Sequence, residues 1–242
     1  MGEQALDWMR VIASHFKNGE RFVIVHGGGP HIDAELQIRN VEKVVHEGFR
    51  VTTPEVMHVV EMVLTGTVLR SVVRGLVQAG LPALGITGSD AGLLEVDYKD
   101  IEKFGLVGNV VRVKPKILHD LLDMGYLPVV SPVSNAADGQ ALNVNADLAA
   151  GAVAGALRAN QMLFLTDVPG IYANWPDRDS LIEEITVKEL NLMTFAEGMI
   201  PKVEATINAV NSGALSARII DGKSLSAFEA ALSGEGGTWI HL

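Results

Sequence analysis

The chain has 242 residues, 48% of them hydrophobic, enough to bury a full core as one large α/β domain or as two joined lobes. Its 29 acidic residues against 19 basic ones give a net charge of −10, which excludes a general nucleic-acid binder, whose affinity comes from neutralising phosphates. There is no cysteine, so disulfides and thiolate zinc sites are excluded, and the longest apolar run, residues 148–157, is far short of the roughly 20 a membrane span needs.

A soluble cytoplasmic protein is the expectation, since the sequence also has no signal-peptide core, linker, internal repeat or metal-cage spacing. Apolar residues at Leu6, Met9, Val11, Ile12 and Phe16 stand close to helical spacing, which predicts an opening helix over 4–16. After Asn18-Gly19, the stretch RFVIVHGGGPHI, residues 21–32, reads as a buried strand, three glycines and a helix start. Gly27, Gly28 and Gly29 carry no Cβ, so an anion can approach their N–H groups at the positive end of the next helix. The plainer reading is a tight turn that merely needs glycine. Neither a Walker loop nor G-x-G-x-x-G occurs.

A helix is predicted over 31–45, with Asp33 and Glu35 in its first turn, where acidic side chains suit the helix dipole. The polar connection over 49–54 has one strong cation, Arg50, which could fork onto the carboxylate of a small substrate or be an ordinary surface arginine. Thr53-Pro54-Glu55 starts a helix that reaches toward Gly80 with a break near Gly66. Its stripe of Val56, Val59, Val60, Val63 and Leu64 suits either the core or a subunit interface.

A short strand over 84–88 runs into a second glycine-rich turn, and residues 106–113 are hairpin material. Lys114-Pro115 opens a helix ending at Gly125, and 127–133 is the apolar run expected of a strand buried on both faces. Beyond the Asp138-Gly139 turn, Asn143, Asn145 and Asp147 share one side if the piece is extended, at the mouth of an Ala- and Gly-rich helix over 148–159. They suit a ligand, a metal-bound phosphate or a capped turn. A buried strand over 161–166 places Thr166 and Asp167 at its C-terminal edge, where open α/β sheets bind ligands. A short helix over 187–192, a helix ending near Ser212, a final helix and late strands over 217–221 and 238–241 complete the chain. Lys202 stands near a helix N-terminus, where a cation does not serve helix stability and a phosphate partner would explain it.

The segments V-H-G-G-G-P-H-I at 25–32, G-F-R-V-T at 48–52, N-V-N-A-D at 143–147, L-T-D-V-P-G at 165–170 and G-M-I-P-K-V at 198–203 together resemble the amino-acid kinase family, most closely its acetylglutamate kinases. The resemblance covers essentially the whole chain in the family's order. It implies a three-layer α/β/α sandwich with a mainly parallel open sheet, in one domain over 1–242 with an acyl-substrate lobe about 1–145 and a nucleotide lobe about 146–242. It implies transfer of phosphoryl from ATP, with Mg2+, to the γ-carboxylate of N-acetyl-L-glutamate in arginine biosynthesis, by a homodimer or higher homo-oligomer. Gly28 and Gly29 would hold the reacting carboxylate, Arg50 would clamp the α-carboxylate, and Asn143 and Asn145 would help bind the acetylated amino acid. Asp147 would organise the catalytic cations and Lys202 would stabilise the transferring phosphoryl. Thr166, Asp167, Gly170, Gly198 and Met199 would bind the nucleotide.

Family members also begin with a strand carrying K-x-G-G, whose lysine has no counterpart in this sequence; the role is not carried over to Arg10 or Lys17. Without that strand, two neighbours are expected to carry unpaired edges, making the chain fragile and a poor catalyst. Two alternatives share the fold: a kinase for carrier-linked aminoadipate in lysine biosynthesis, kept open by Trp175-Pro176-Asp177 and G-E-G-G-T at 234–238 although N-V-N-A-D and G-F-R-V-T favour acetylglutamate, and a catalytically impaired ligand-binding or regulatory member.

Overall fold

The computed structural model describes residues 3–195 and 199–242. It divides into two compact units, Met1–Ala149 and Ala150–Leu242. In the first, Ile24–Val25, Leu127–Ser131 and Ala83–Thr87 form a parallel sheet with Leu127–Ser131 in the middle. Every residue of that central strand is buried, Ser131 included, as the near-continuous apolar run implies. Met9 and Ala13 of the helix Glu3–Lys17 and Leu69 and Leu76 of the helix Leu69–Gln78 pack with Leu127 and Val129 into one cluster. The α/β class with parallel strands is thus as expected, although the strands fall into separate sheets.

The helix after Thr53 is continuous. Thr53 Oγ1 accepts from Val56 N at 3.3 Å to cap it, and Pro54 occupies its first turn. Where the sequence predicted a break near Gly66, the chain widens into a π-helical stretch, Met62–Val68, and resumes as an α-helix over Leu69–Gln78. A wider turn absorbs the irregularity without ending the helix. The whole span, Pro54–Gln78, is long and apolar enough to cross a membrane. However, Val56, Val59, Val60, Val63 and Leu64 are all buried within the chain itself, so the stripe offered as a subunit contact is core.

A second sheet of this unit runs in the order Leu94–Tyr98, Val107–Val113, Ala141–Val144, Val133–Asn135, with only the middle pair parallel. Leu94–Tyr98 alternates buried Leu94 and Val96 with less buried Glu95 and Asp97, a short strand signal that the adjacent glycine-rich turn obscured. The helix predicted over 31–45 is confined to Gly29–Ile38. Beyond it Val45–His46 and Phe49–Arg50 pair antiparallel across Glu47-Gly48, whose φ values of +50° and +78° are those of a type I′ hairpin turn.

In the second unit the order is Met162–Thr166, Ala217–Asp221, Thr238–His241, Glu184–Thr186, parallel except between Ala217–Asp221 and Thr238–His241. The small residues of the helix Ala146–Leu157 have a packing reason. A Cβ on Gly151 would lie 2.4 Å from the Ala205 carbonyl oxygen and one on Gly155 2.5 Å from Ser212 Cβ, so the helix Ile200–Asn211 and the residue after it need both glycines. Ile24–Val25 and Met162–Thr166 are each an edge strand of their own sheet.

Leu69 is fully buried and Val111 is exposed. Leu69→Ala is expected to lower the unfolding free energy by about 2–5 kcal/mol in urea titrations, through lost burial and a residual cavity. Val111→Ala should stay within about 0.5 kcal/mol of the wild type.

Candidate functional site

The site of the first unit begins where the edge strand ends. His26 N donates to Val130 O at 3.1 Å, extending the pairing one residue past Val25 before the glycines turn the chain. The helix starts at Gly29, earlier than the sequence suggested, with His31 N and Ile32 N both donating to Gly28 O at 3.0 Å. Its first turn therefore holds no acidic residue. Asp33 and Glu35 fall a turn later and pair with cations instead, Glu35 with Arg39 at 2.7 Å.

The glycines have different reasons to be glycine. A Cβ on Gly28 would lie 2.6 Å from Leu64 Cδ2 and 3.1 Å from Val68 Cγ2, so the π-helical stretch leaves no room for one. A Cβ on Gly29 would meet nothing within 4 Å. One on Gly27 would lie 3.5 Å from Ala146 Cβ, which sets the start of the helix Ala146–Leu157 beside the turn. The backbone N–H groups of Gly28 and Gly29 donate to no backbone oxygen among the described residues. They stand at a helix N-terminus, where aligned peptide dipoles favour an anion.

Arg50 is not a surface arginine. Its side chain is 12% exposed, and Nη2 donates to Asp33 Oδ1 at 2.5 Å. Lys43 Nζ donates to Asp33 Oδ2 at 2.8 Å. Partial burial alone would raise the Asp33 pKa, but the bonds from Lys43 and Arg50 together outweigh it and hold the carboxyl below its ordinary value. Arg50 Nη1 is buried and has no partner among the described residues. Such an unsatisfied donor costs about 1–3 kcal/mol, so an arriving carboxylate would meet a guanidinium already aimed and desolvated.

Asn143 reaches the same network from a strand 91 positions beyond Thr52: its Nδ2 donates to Thr52 Oγ1 at 3.0 Å, and Thr52 Oγ1 donates to Arg50 O at 2.8 Å. Asn145 Oδ1 accepts from Leu148 N at 3.1 Å and so caps the helix that begins at Ala146. Asp147 lies in that helix's first turn. The strand stops at Val144, so the three polar residues do not share one extended face. Sequence reasoning passed over Thr52, although it lies inside G-F-R-V-T, and His26. Nδ1 of His26 is 2.9 Å from Gly27 O and Nε2 is buried without a partner among the described residues. Burial lowers its pKa, with the Gly27 bond opposing only in part, so the ring is neutral at pH 7.

Of the candidates of the second unit, Thr166 and Asp167 stand at the end of Met162–Thr166. Thr166 pairs in register with Asp221 and donates through Oγ1 to Asp167 Oδ1 at 3.2 Å, while Gly222 N donates to Thr166 O at 2.6 Å. Gly170 has a packing reason, because a Cβ there would lie 2.4 Å from Thr238 Oγ1. That hydroxyl accepts from Ile171 N at 2.8 Å and donates to Ile182 O at 2.6 Å. Met199 is the residue before the helix Ile200–Asn211, and Lys202 lies in its first turn with its carbonyl accepting from Thr206 Oγ1 at 2.8 Å. Gly198 lies outside the described residues.

An α/β protein with a bare-backbone anion seat at the C-terminal end of a parallel strand, and a buried arginine with an unused donor close by in the same unit, has the makings of a binder of small anionic substrates. The chain belongs to the amino acid kinase family, whose model matches residues 2–221. It is 46% identical over 213 residues to an acetylglutamate kinase of Corynebacterium efficiens, covering 85% of this chain and 70% of that one. It is 48% identical over 216 residues to an acetylglutamate kinase of an Arthrobacter species, covering 83% and 69%. Among solved structures it is similar to smu.665 of Streptococcus mutans, with a TM-score of 0.82 at 27% identity over 96% of this chain and 91% of that one. The fold alone is shared with the carbamate kinase of Giardia lamblia, with a TM-score of 0.72 at 22% identity over 97% and 87%.

The Asp33 carboxyl has a folded pKa below its ordinary 3.8. Its contribution to stability is therefore fully present above the unfolded pKa and is lost as the pH falls through the lower folded value. Urea unfolding measured at steps between about pH 5 and 2 is expected to show the wild type losing more stability on acidification than Asp33→Asn. Equal acid slopes would remove this ion pair from the stability of the site.

Proposed function

We propose that this chain catalyses phosphoryl transfer from ATP to the γ-carboxylate of N-acetyl-L-glutamate, a step of arginine biosynthesis in the cytoplasm. The observation that carries the reading is Arg50, whose Nη1 is buried without an acceptor among the described residues while Nη2 is held by Asp33. A small dicarboxylate suits such a unit: one carboxylate on the guanidinium, the other on the N–H groups of Gly28 and Gly29. The acetylglutamate kinases to which the chain is similar supply the identity of that dicarboxylate.

Transfer to a carboxylate needs little covalent help from the protein, only two anions brought into line and the equatorial charge of the phosphoryl neutralised. Gly28 and Gly29 would orient the attacking γ-carboxylate and reduce its repulsion with the nucleotide. Arg50 and Asn143 would fix the rest of the acyl substrate, with Asn145 shaping the site as the cap of the helix that carries Asp147. Asp147 would organise the catalytic cations, and Lys202 would stabilise the transferring phosphoryl. Thr166, Asp167, Gly170, Gly198 and Met199 would form the nucleotide strip. Magnesium would come with the nucleotide: no group of three or more His, Asp or Glu converges among the described residues, and an ion held chiefly by phosphate oxygens and water needs no such cage. The homo-oligomer that the resemblance implies would use surface other than the apolar stripe of Pro54–Gln78, which is buried within the chain.

The carrier-linked aminoadipate reading loses one of its supports. The loop G-E-G-G-T wraps a buried side chain: Arg218 Nη2 donates to Gly234 O at 2.6 Å and Nη1 to Gly236 O, so the loop has a structural reason to be there. Side-by-side turnover of the two acceptors separates the readings, with ADP release expected only for N-acetyl-L-glutamate.

Arg50→Lys replaces a fork by a point charge. By calorimetry it should weaken N-acetyl-L-glutamate binding by about tenfold or more while leaving ATP affinity nearly unchanged. Unaltered affinity for the acyl substrate would remove Arg50 from the site. Lys202→Ala should lower kcat by about 10²–10³-fold, by analogy with the loss of another charge stabiliser, with smaller changes in KM for either substrate. Normal turnover in that variant would discard the assignment.

A further inference from the structure

We propose that the Thr52 hydroxyl is a positioning group that sets which end of the Asn143 amide faces the ligand, and so makes the site prefer a ligand that donates a hydrogen bond there; this rests on the acyl-substrate reading above. Thr52 is fully buried. Its hydroxyl has a single proton, and Arg50 O, 2.8 Å away, can only accept, so the proton is committed to that bond. Toward Asn143, 3.0 Å away, the hydroxyl therefore presents only lone pairs. Only the NH2 end of the amide can satisfy a lone pair. Asn143 Oδ1 is thereby turned away from Thr52 as the acceptor of the amide, whereas without the hydroxyl the two orientations would differ little.

The backbone holds this arrangement rigid. Thr52 N donates to Phe104 O at 2.9 Å, Leu106 N donates to Thr52 O at 2.7 Å, and Asn143 N donates to Leu106 O at 2.9 Å. Thr52 and Asn143 are thus tied to the same short segment. Gly105 makes the approach possible, since it has φ +66° and a Cβ there would lie 2.4 Å from Thr52 O. An acceptor fixed in this way complements the N–H of an acylated amino group. It is mismatched to an ester oxygen in the same place, which has only lone pairs to offer. Because the same hydroxyl bonds Arg50 O, it also couples the carboxylate clamp to the amide reader.

The test compares N-acetyl-L-glutamate with 2-acetoxyglutarate, its ester analogue lacking the N–H, by calorimetric titration of the wild type, Thr52→Val and Thr52→Ser. Thr52→Val is expected to weaken N-acetyl-L-glutamate binding by about tenfold and the ester by no more than about threefold, which collapses the preference between them. Thr52→Ser keeps the hydroxyl and should restore the preference. If Thr52→Val fails to fold, the same comparison is made with Thr52→Cys, whose thiol fills the space but bonds weakly. Wild-type affinity for N-acetyl-L-glutamate in the variant, or an equal loss for both ligands, overturns the proposal and leaves Thr52 a packing residue. A wild type that binds neither ligand overturns the acyl-substrate reading, and the proposal with it.

Discussion

The geometry of the first unit depends on how closely one helix approaches one turn. Leu64 and Val68, in the π-helical stretch of Pro54–Gln78, lie where a side chain on Gly28 would have to be. That contact sets the level at which the chain leaves the strand Ile24–Val25 and enters the helix Gly29–Ile38. It also leaves Gly29, one residue on, facing open space. Close-packed side chains transmit position well, because a volume change of even one methylene is felt by their neighbours. The same helix places Leu69 and Leu76 against the central strand, so the anion seat and the hydrophobic core are ordered by one element.

Two arginines with inward-facing guanidinium nitrogens show how satisfaction of donors separates scaffold from site. Arg218 lies buried in the second unit with its guanidinium collared by the carbonyls of Gly234 and Gly236, and burial lowers its pKa. Its hydrogen bonds offset desolvation, and nothing about it calls for a ligand. Arg50 is partly buried, and its partners are unevenly distributed: Asp33 holds one nitrogen, and the other is buried with no partner among the described residues. Asp33 in turn shares its second oxygen with Lys43, so two cations converge on one carboxylate and the cluster keeps an excess positive charge. In a protein of net charge −10, that local excess is what would draw a dicarboxylate to this place.

Much of the architecture could be read from the sequence because its signals are local. The opening helix, the buried run over 127–131, the cap and proline at Thr53-Pro54 and the strands over 162–166 and 217–221 each follow from periodicity or from one residue's chemistry, and each stands within a few positions of its predicted place. The helix predicted over 31–45 was overextended for a reason of the same kind. Residues 39–45 keep an apolar pattern, but Asn40 takes a positive φ and the Glu47-Gly48 turn folds Val45–His46 back onto Phe49–Arg50. A hairpin stands there because the left-handed backbone at Asn40 stops the helix and Glu47-Gly48 take the positive φ values that a type I′ turn requires.

By itself the sequence determined which residues were candidates: three glycines after a buried strand, a lone arginine in a polar connection, an Asn-x-Asn-x-Asp run before a small-residue helix and a lysine in a helix's first turn. It did not determine how they divide the work. Gly28 against Gly29, Asn143 against Asn145 and Arg50 against the other cations are told apart by the atoms the structure brings to them, from distant positions for Gly28, Asn143 and Arg50 and from three residues on for the cap at Asn145. Leu64 fills the space over Gly28, Leu148 N occupies Asn145, and Thr52 turns the amide of Asn143. Packing and hydrogen-bond saturation are pairwise properties, and at separations such as the 91 positions between Thr52 and Asn143 no local pattern can carry them.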